Sequence, residues 1–164
     1  MRVLRIALDA HQAVFSDPDA DYTVPVGADT LAAMIATDPP LPEELTNAVG
    51  LFVDHIEDVT REVPGSTFAD TIEVHGPGLQ TLVDVFVGHA TRLPFELERD
   101  DAEEIYRTLA TEPAAARVLN PGLPAGEVHR ILGVACAVVA TLRALQVTAF
   151  TIVERTASDQ AAGA

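Results

Sequence analysis

The sequence predicts a single α/β domain in which helices cover a mixed, five-stranded sheet, and three observations carry that prediction. Short alternating segments open the chain and return later in it, singly, between helical stretches. The length of 164 residues suits one ordinary domain with a substantial core. The hydrophobic fraction of 48% and mean hydropathy of +0.22 exceed what a disordered chain would show.

Residues 3–8 and 13–16 read as two strands around the turn Asp9-Ala10-His11-Gln12, and the turn 17–21 leads to a third strand at 22–26. A short helix follows from Gly27-Ala28-Asp29 to about residue 36, and Asp38-Pro39-Pro40-Leu41-Pro42 breaks it. The next helix begins near Glu43, where Leu45, Val49, Phe52, Ile56, Val59 and Val63 form one apolar stripe for packing on a sheet. Residues 67–74 supply a fourth strand, His75-Gly76-Pro77-Gly78 a turn, and Leu79, Leu82, Val83 and Phe86 the inner face of another helix.

Residues 88–97 read as a connector with at most a short extended piece, and Asp100 with Glu103 as a reciprocal cap for a helix reaching Ala110. A short helix at 112–119 stops at Asn120-Pro121-Gly122-Leu123-Pro124. The segment 127–145 is apolar nearly all round and belongs in the middle of the domain. A last strand at 147–153 precedes a small-residue tail, 156–164, expected to be mobile. Three strands, helices, a strand, helices and a final strand are the element order of a ribonuclease H-like fold.

Charge narrows the partners. Twenty-five acidic residues against ten basic ones, all arginine, give a formal charge of −15. The arginines are scattered singly, so the summed field repels polyanions and nucleic acid is not an expected partner. Cys136, the single cysteine, lies in an apolar run, which excludes an intrachain disulfide and points to a small core residue in a reducing compartment. The N-terminus has no signal-peptide block and no segment has the apolar length of a membrane span, so a cytoplasmic protein with no membrane partner is expected.

Three segments in order resemble the second, C-terminal lobe of the exopolyphosphatase and guanosine pentaphosphate phosphohydrolase (Ppx/GppA) family, of the actin-like ATPase superfamily. Val24-Pro25-Val26-Gly27-Ala28 and Asp38-Pro39-Pro40-Leu41-Pro42-Glu43-Glu44-Leu45 are similar to the family's "LPxGAxRLTERF…DPPxxEEL". Gly76-Pro77-Gly78-Leu79-Gln80-Thr81-Leu82 stands where the family has "GxGGTxxTLA". Asn120-Pro121-Gly122-Leu123-Pro124-Ala125-Gly126 and the helix after it are similar to "LPGLxxGRADVIVAGAxIL".

The resemblance implies a lobe spanning residues 1–155. It also implies that a first lobe, with the acid that activates water, is missing. Where relatives place an acidic residue and three glycines after the first strand, this chain has Asp9-Ala10-His11-Gln12 without glycine. Pro77 has no N–H, Leu79-Gln80 replaces a small polar pair, and the family's Arg and Asp fall on Glu127 and His129. The family's terminal "GLREG" has no counterpart in 156–164.

These departures suggest a non-catalytic, structural or regulatory interaction module without catalytic residues. Its degenerate phosphate-loop positions are Asp9, His11, Gln12, Gly76 and Gly78. A protein partner is expected, either a second copy or a complete relative, and no cofactor. The alternative is an exopolyphosphatase-like half-enzyme completed by a first lobe in trans, which alone would call for Mg2+. The remaining readings are weaker. His11, Asp9 and His75 are the best metal grouping but lack a third ligand at zinc-like spacing. Asp9, Asp54 and Asp70 are candidate carboxylates for a two-metal nuclease, which the acidic field disfavours. No Ser-His-Asp elbow is present.

Overall fold

The computed structural model describes residues 1–155; the expected tail lies outside them. Strands β1 (Val3–Leu8), β2 (Ala13–Ser16) and β3 (Asp21–Val24) form an antiparallel meander. Helices α1 (Ala28–Ala32) and α2 (Pro42–Glu62) lead to β4 (Thr71–His75), and α3 (Leu79–Val87) leads to β5 (Phe95–Glu98). Then come α4 (Arg99–Thr111), α5 (Ala114–Arg117), α6 (Arg130–Leu145) and β6 (Ala149–Ile152). The sheet order is β3-β2-β1-β4-β6-β5, with β1, β4 and β6 parallel and β5 antiparallel to β6.

The sheet therefore has six strands where the sequence predicts five. The extra strand is β5, read above as part of the connector. Its Phe-Glu-Leu-Glu alternation is only four residues long, enclosed between Pro94 and the first residue of α4. Three further expectations change. The segment 64–68 is a 3-10 turn, which delays β4 to Thr71. Helix α1 stops at Ala32. Among the described residues no side chain caps α4, and Glu103 turns instead to Arg143, with Nε–Oε1 and Nη2–Oε2 distances both 2.7 Å.

Burial alternates along the strands. Leu4, Ile6 and Leu8, Ala13 and Phe15, Ile72 and Val74, and Phe150 and Ile152 are buried on one face. That face meets the helices, and α6 at their centre touches α1, α2, α3 and α4, so the helices form one layer. Every residue of α6 from Ile131 to Leu142 is buried, Cys136 among them. The contact is close enough that a Cβ on Gly133 would stand 1.9 Å from the Ala28 carbonyl oxygen. Each large apolar side chain in this core contributes on the order of 1.5–3 kcal/mol of burial. No helix among the described residues is long and apolar enough to cross a membrane.

The family-like segments have structural work here. Glu44 accepts from the Leu41 N–H at 2.9 Å and the Ala36 N–H at 2.7 Å, which closes the Pro-rich break onto α2. These amides hold the Glu44 carboxyl below its ordinary value. Arg130 grips Asp29 of α1 through two bonds of 2.7 and 3.0 Å, and the His129 Nε2 donates to the Ala32 carbonyl at 2.7 Å. Arg117 is 2% exposed, and its three nitrogens donate to the carbonyls of Leu109, Val128 and Glu112 at 3.1, 2.9 and 2.7 Å.

Candidate functional site

In an open sheet with parallel strands, the loops after the C-terminal strand ends are the usual place for a ligand. Three segments meet there: Asp9-Ala10-His11-Gln12 after β1, Gly76-Pro77-Gly78 after β4, and Val153-Glu154-Arg155 after β6. A cleft of about 520 Å3 opens between the last two, lined by Gly76, Pro77, Leu79, Gln80, Leu93 and the segment after β6.

The β1 turn is closed on itself and on α1. The Asp9 N–H donates to the Gln12 carbonyl at 2.9 Å, making the hairpin. The amides that start α1 are taken by that turn: Ala28 donates to the Asp9 carbonyl at 3.0 Å, and Asp29 and Thr30 to the Ala10 carbonyl at 2.8 and 3.4 Å. The Gly27 N–H goes to the Thr30 hydroxyl at 3.1 Å. So close is the approach that a Cβ on Gly27 would lie 2.3 Å from the Asp9 carbonyl oxygen. These are the first amides of a helix, donors that would otherwise be available to an anion.

The β4 turn is different. Gly76 has φ +148° and Gly78 φ +92°, conformations that side chains rarely adopt. A Cβ on Gly76 would stand 1.9 Å from the Leu8 carbonyl oxygen, and one on Gly78 2.7 Å from Cγ2 of Val134 on α6. Gly78 is the residue from which α3 starts. Gln80, on the wall of the cleft, donates through Nε2 to the Asp84 carboxylate at 2.9 Å and the Thr91 carbonyl at 2.6 Å, pinning the connector.

Of the five expected positions, Gly76 lines the cleft, Gly78 starts the helix beside it, and Asp9 reaches its edge. The Asp9 Oδ1 lies 3.7 Å from Nη1 of Arg155. His11 and Gln12 are exposed at the hairpin tip and do not line the cleft. His75, paired across the sheet with Ala7, is 5% exposed. Among the described residues no three His, Cys, Asp or Glu side chains come together as a metal-binding group, so the grouping of Asp9, His11 and His75 does not form one.

Sequence reasoning missed Arg155. The signal available was its position, immediately beyond the last strand and at the same end of the sheet as Asp9 beyond the first. Cys136 does not line this cleft, and burial pushes its thiol up to about 12, which leaves it unreactive.

No protein-family model matches the sequence, and no curated protein does. Solved structures do. An exopolyphosphatase-like protein aligns with a TM-score of 0.84 at 17% identity over 94% of this chain and 55% of its own. The Aquifex aeolicus Ppx/GppA phosphatase in its type II variant aligns at 0.79 and 16% identity, over 93% of this chain and 53% of that one. A Cytophaga hutchinsonii exopolyphosphatase gives 0.71 and 13%, over 93% and 53%. The chain thus has the fold of about half of a Ppx/GppA exopolyphosphatase, as a fragment of the C-terminal-lobe type would.

Proposed function

We propose that this chain is a non-catalytic, structural or regulatory protein-interaction module built on a Ppx/GppA-like lobe and working in the cytoplasm. The observation that supports this most is the closed β1 turn. The α1 amides that could meet a phosphate oxygen already donate to the Asp9 and Ala10 carbonyls, and the carboxylate of the same turn residue, Asp9, faces Arg155 at the cleft. An incoming polyphosphate would displace backbone bonds and face like charge, within an overall field of −15. The module needs no cofactor, and its partner is a protein.

The test is calorimetric titration of the purified chain with tripolyphosphate and Mg2+, alongside a phosphate-release assay. Neither saturable heat nor released phosphate is expected. Asp9→Asn is expected to be equally inert, because backbone carbonyls rather than the carboxylate occupy the donors. Saturable binding by the unmodified chain would overturn the proposal.

A second reading is favoured by the other turn. Gly76 and Gly78 keep positive φ, α3 opens on the cleft, and Arg155 supplies a cation on its wall. These are parts of a phosphoanhydride hydrolase whose first lobe comes from another chain. It predicts Mg2+-dependent phosphate release from polyphosphate or guanosine polyphosphates only when such a first lobe is mixed in.

A further inference from the structure

We infer that the sheet face turned away from the helices is a docking surface for a basic amphipathic helix of a partner protein. This rests on the interaction-module reading and gives it a surface and a chemistry. The helices gather in one layer on the other side; on this face His75, at the end of β4, is buried, while the residues between it and the start of the strand are exposed or only partly buried. The strand register sets a row across this face: Asp21, Ser16, Arg5, Glu73, Thr151 and Glu96 stand side by side on β3, β2, β1, β4, β6 and β5. Three of the six are acidic and one is basic, and that one already faces Glu73, with Nε–Oε2 at 3.6 Å. The Arg5 side chain remains 62% exposed. Val3, Ala7 and Val14 on the same face are only partly buried and offer a small apolar track between the charges.

The face is also grooved. The β4–β6 ladder consists of two pairs, Glu73 with Thr151 and Val74 with Ile152. Before those pairs the strands are not bonded to each other, and a cleft of about 520 Å3 lies between 69–72 and 146–151, reaching Glu96. It can receive a long side chain beside a carboxylate.

Charge selects the occupant. A sheet face of this kind is buried by a helix with an apolar stripe, and the flanks of that helix must answer Asp21, Glu73 and Glu96. A second copy would bring its own −15 and an identical acidic row. Lys or Arg flanks answer the row directly.

The experiment titrates two designed amphipathic peptides of roughly five turns, one Leu/Lys and one Leu/Glu, into the isotope-labelled full chain while amide shifts are followed. Shifts gathered on Arg5, Glu73, Thr151 and Glu96, with the Leu/Lys peptide alone and fading with salt, are the expected result. The double variant Glu73→Gln with Glu96→Arg is expected to weaken binding about tenfold or more, while Glu57→Arg, exposed on α2, leaves it unchanged. If the double variant does not fold, Glu96→Arg alone, on the edge strand, carries the comparison. Shifts on the helix layer, equal weakening by Glu57→Arg, self-association through this face, or no peptide binding would each overturn the inference. Absent peptide binding with tripolyphosphate also unbound sinks this surface and leaves the module reading standing. Tripolyphosphate capture sinks that reading whatever the peptides do.

Discussion

The mouth of the sheet and the ends of the helix layer are held together in opposite ways. At the mouth, backbone lies on backbone: the Asp9 and Ala10 carbonyls fill the start of α1, and Gly76 lets β4 come up against the Leu8 carbonyl. At the helix ends, arginines supply the donors: Arg117 to three carbonyls, Arg130 to Asp29 and Arg143 to Glu103. The difference bears directly on the proposed loss of oxyanion binding. A site that binds oxyanions keeps free amides and free cations at its mouth, and here the amides of α1 are bonded internally while many of the cations brace helices.

The comparison breaks first if the mouth proves loose. Gly76→Ala places a methyl 1.9 Å from the Leu8 carbonyl oxygen at φ +148°, so a loss of about 3 kcal/mol or more is expected in urea unfolding. Gly27→Ala meets the Asp9 carbonyl oxygen at 2.3 Å from an ordinary extended backbone (φ −130°, ψ −170°), and its loss is expected to be smaller. Tolerance of Gly76→Ala would mean that β1 and β4 can separate at the mouth of the sheet.

Next in size is the arginine brace. Arg117→Ala leaves three carbonyls near the C-terminal end of α4 and the start of α6 without their donors, an expected loss of about 3 kcal/mol. Arg117→Lys retains the charge but not the fork, and is expected to recover only part of that loss. Burial holds the Arg117 pKa below its ordinary value, yet an arginine stays protonated across the accessible range. Full recovery by lysine would show that charge, not the pattern of donors, does the bracing.

Much of this architecture was legible in the sequence. The alternation of 3–8 and 13–16 and the all-round apolar run of α6 leave little choice of fold, and the resemblance agreed with the structures that align. The sixth strand was illegible because four alternating residues beside a proline do not outweigh the loop reading. At the site, Asp9, Gly76 and Gly78 could be placed because loops after parallel strands gather at one end. The closure of the β1 turn could not, since it is made by carbonyl oxygens, which every residue has. Arg155 escaped for a related reason: its partner Asp9 stands at the other end of the chain, and only the sheet order brings β6 near enough.

Smaller effects sharpen the helix-layer side. The Arg143 guanidinium holds the Glu103 carboxyl below its ordinary value. A carboxyl depressed in the folded state stabilises fully above its unfolded value, about 4.3, and the contribution is lost as pH falls through the lower folded value. The pair is partly exposed, so the gain is less than about 1 kcal/mol. Melting curves of the wild type and Glu103→Gln from pH 7 downward are expected to differ most at neutral pH and to converge in acid. A gap that persists unchanged at low pH would assign the pair no electrostatic role.

The smallest effect has the opposite sign. Gly50 lies within α2, and a Cβ added there would meet nothing within 4 Å. Alanine removes conformational freedom from the unfolded chain and restores helix propensity without a clash, so Gly50→Ala is expected to stabilise by about 0.5–1 kcal/mol. For a chain of this size that is a rise of roughly 2–4 °C in Tm. Set beside Gly76→Ala, it separates two kinds of glycine in one chain: one required by the contact between β1 and β4, the other replaceable within its helix. If Gly50→Ala destabilised instead, the surface of α2 at this position would be closed to a methyl group, against the open space found there.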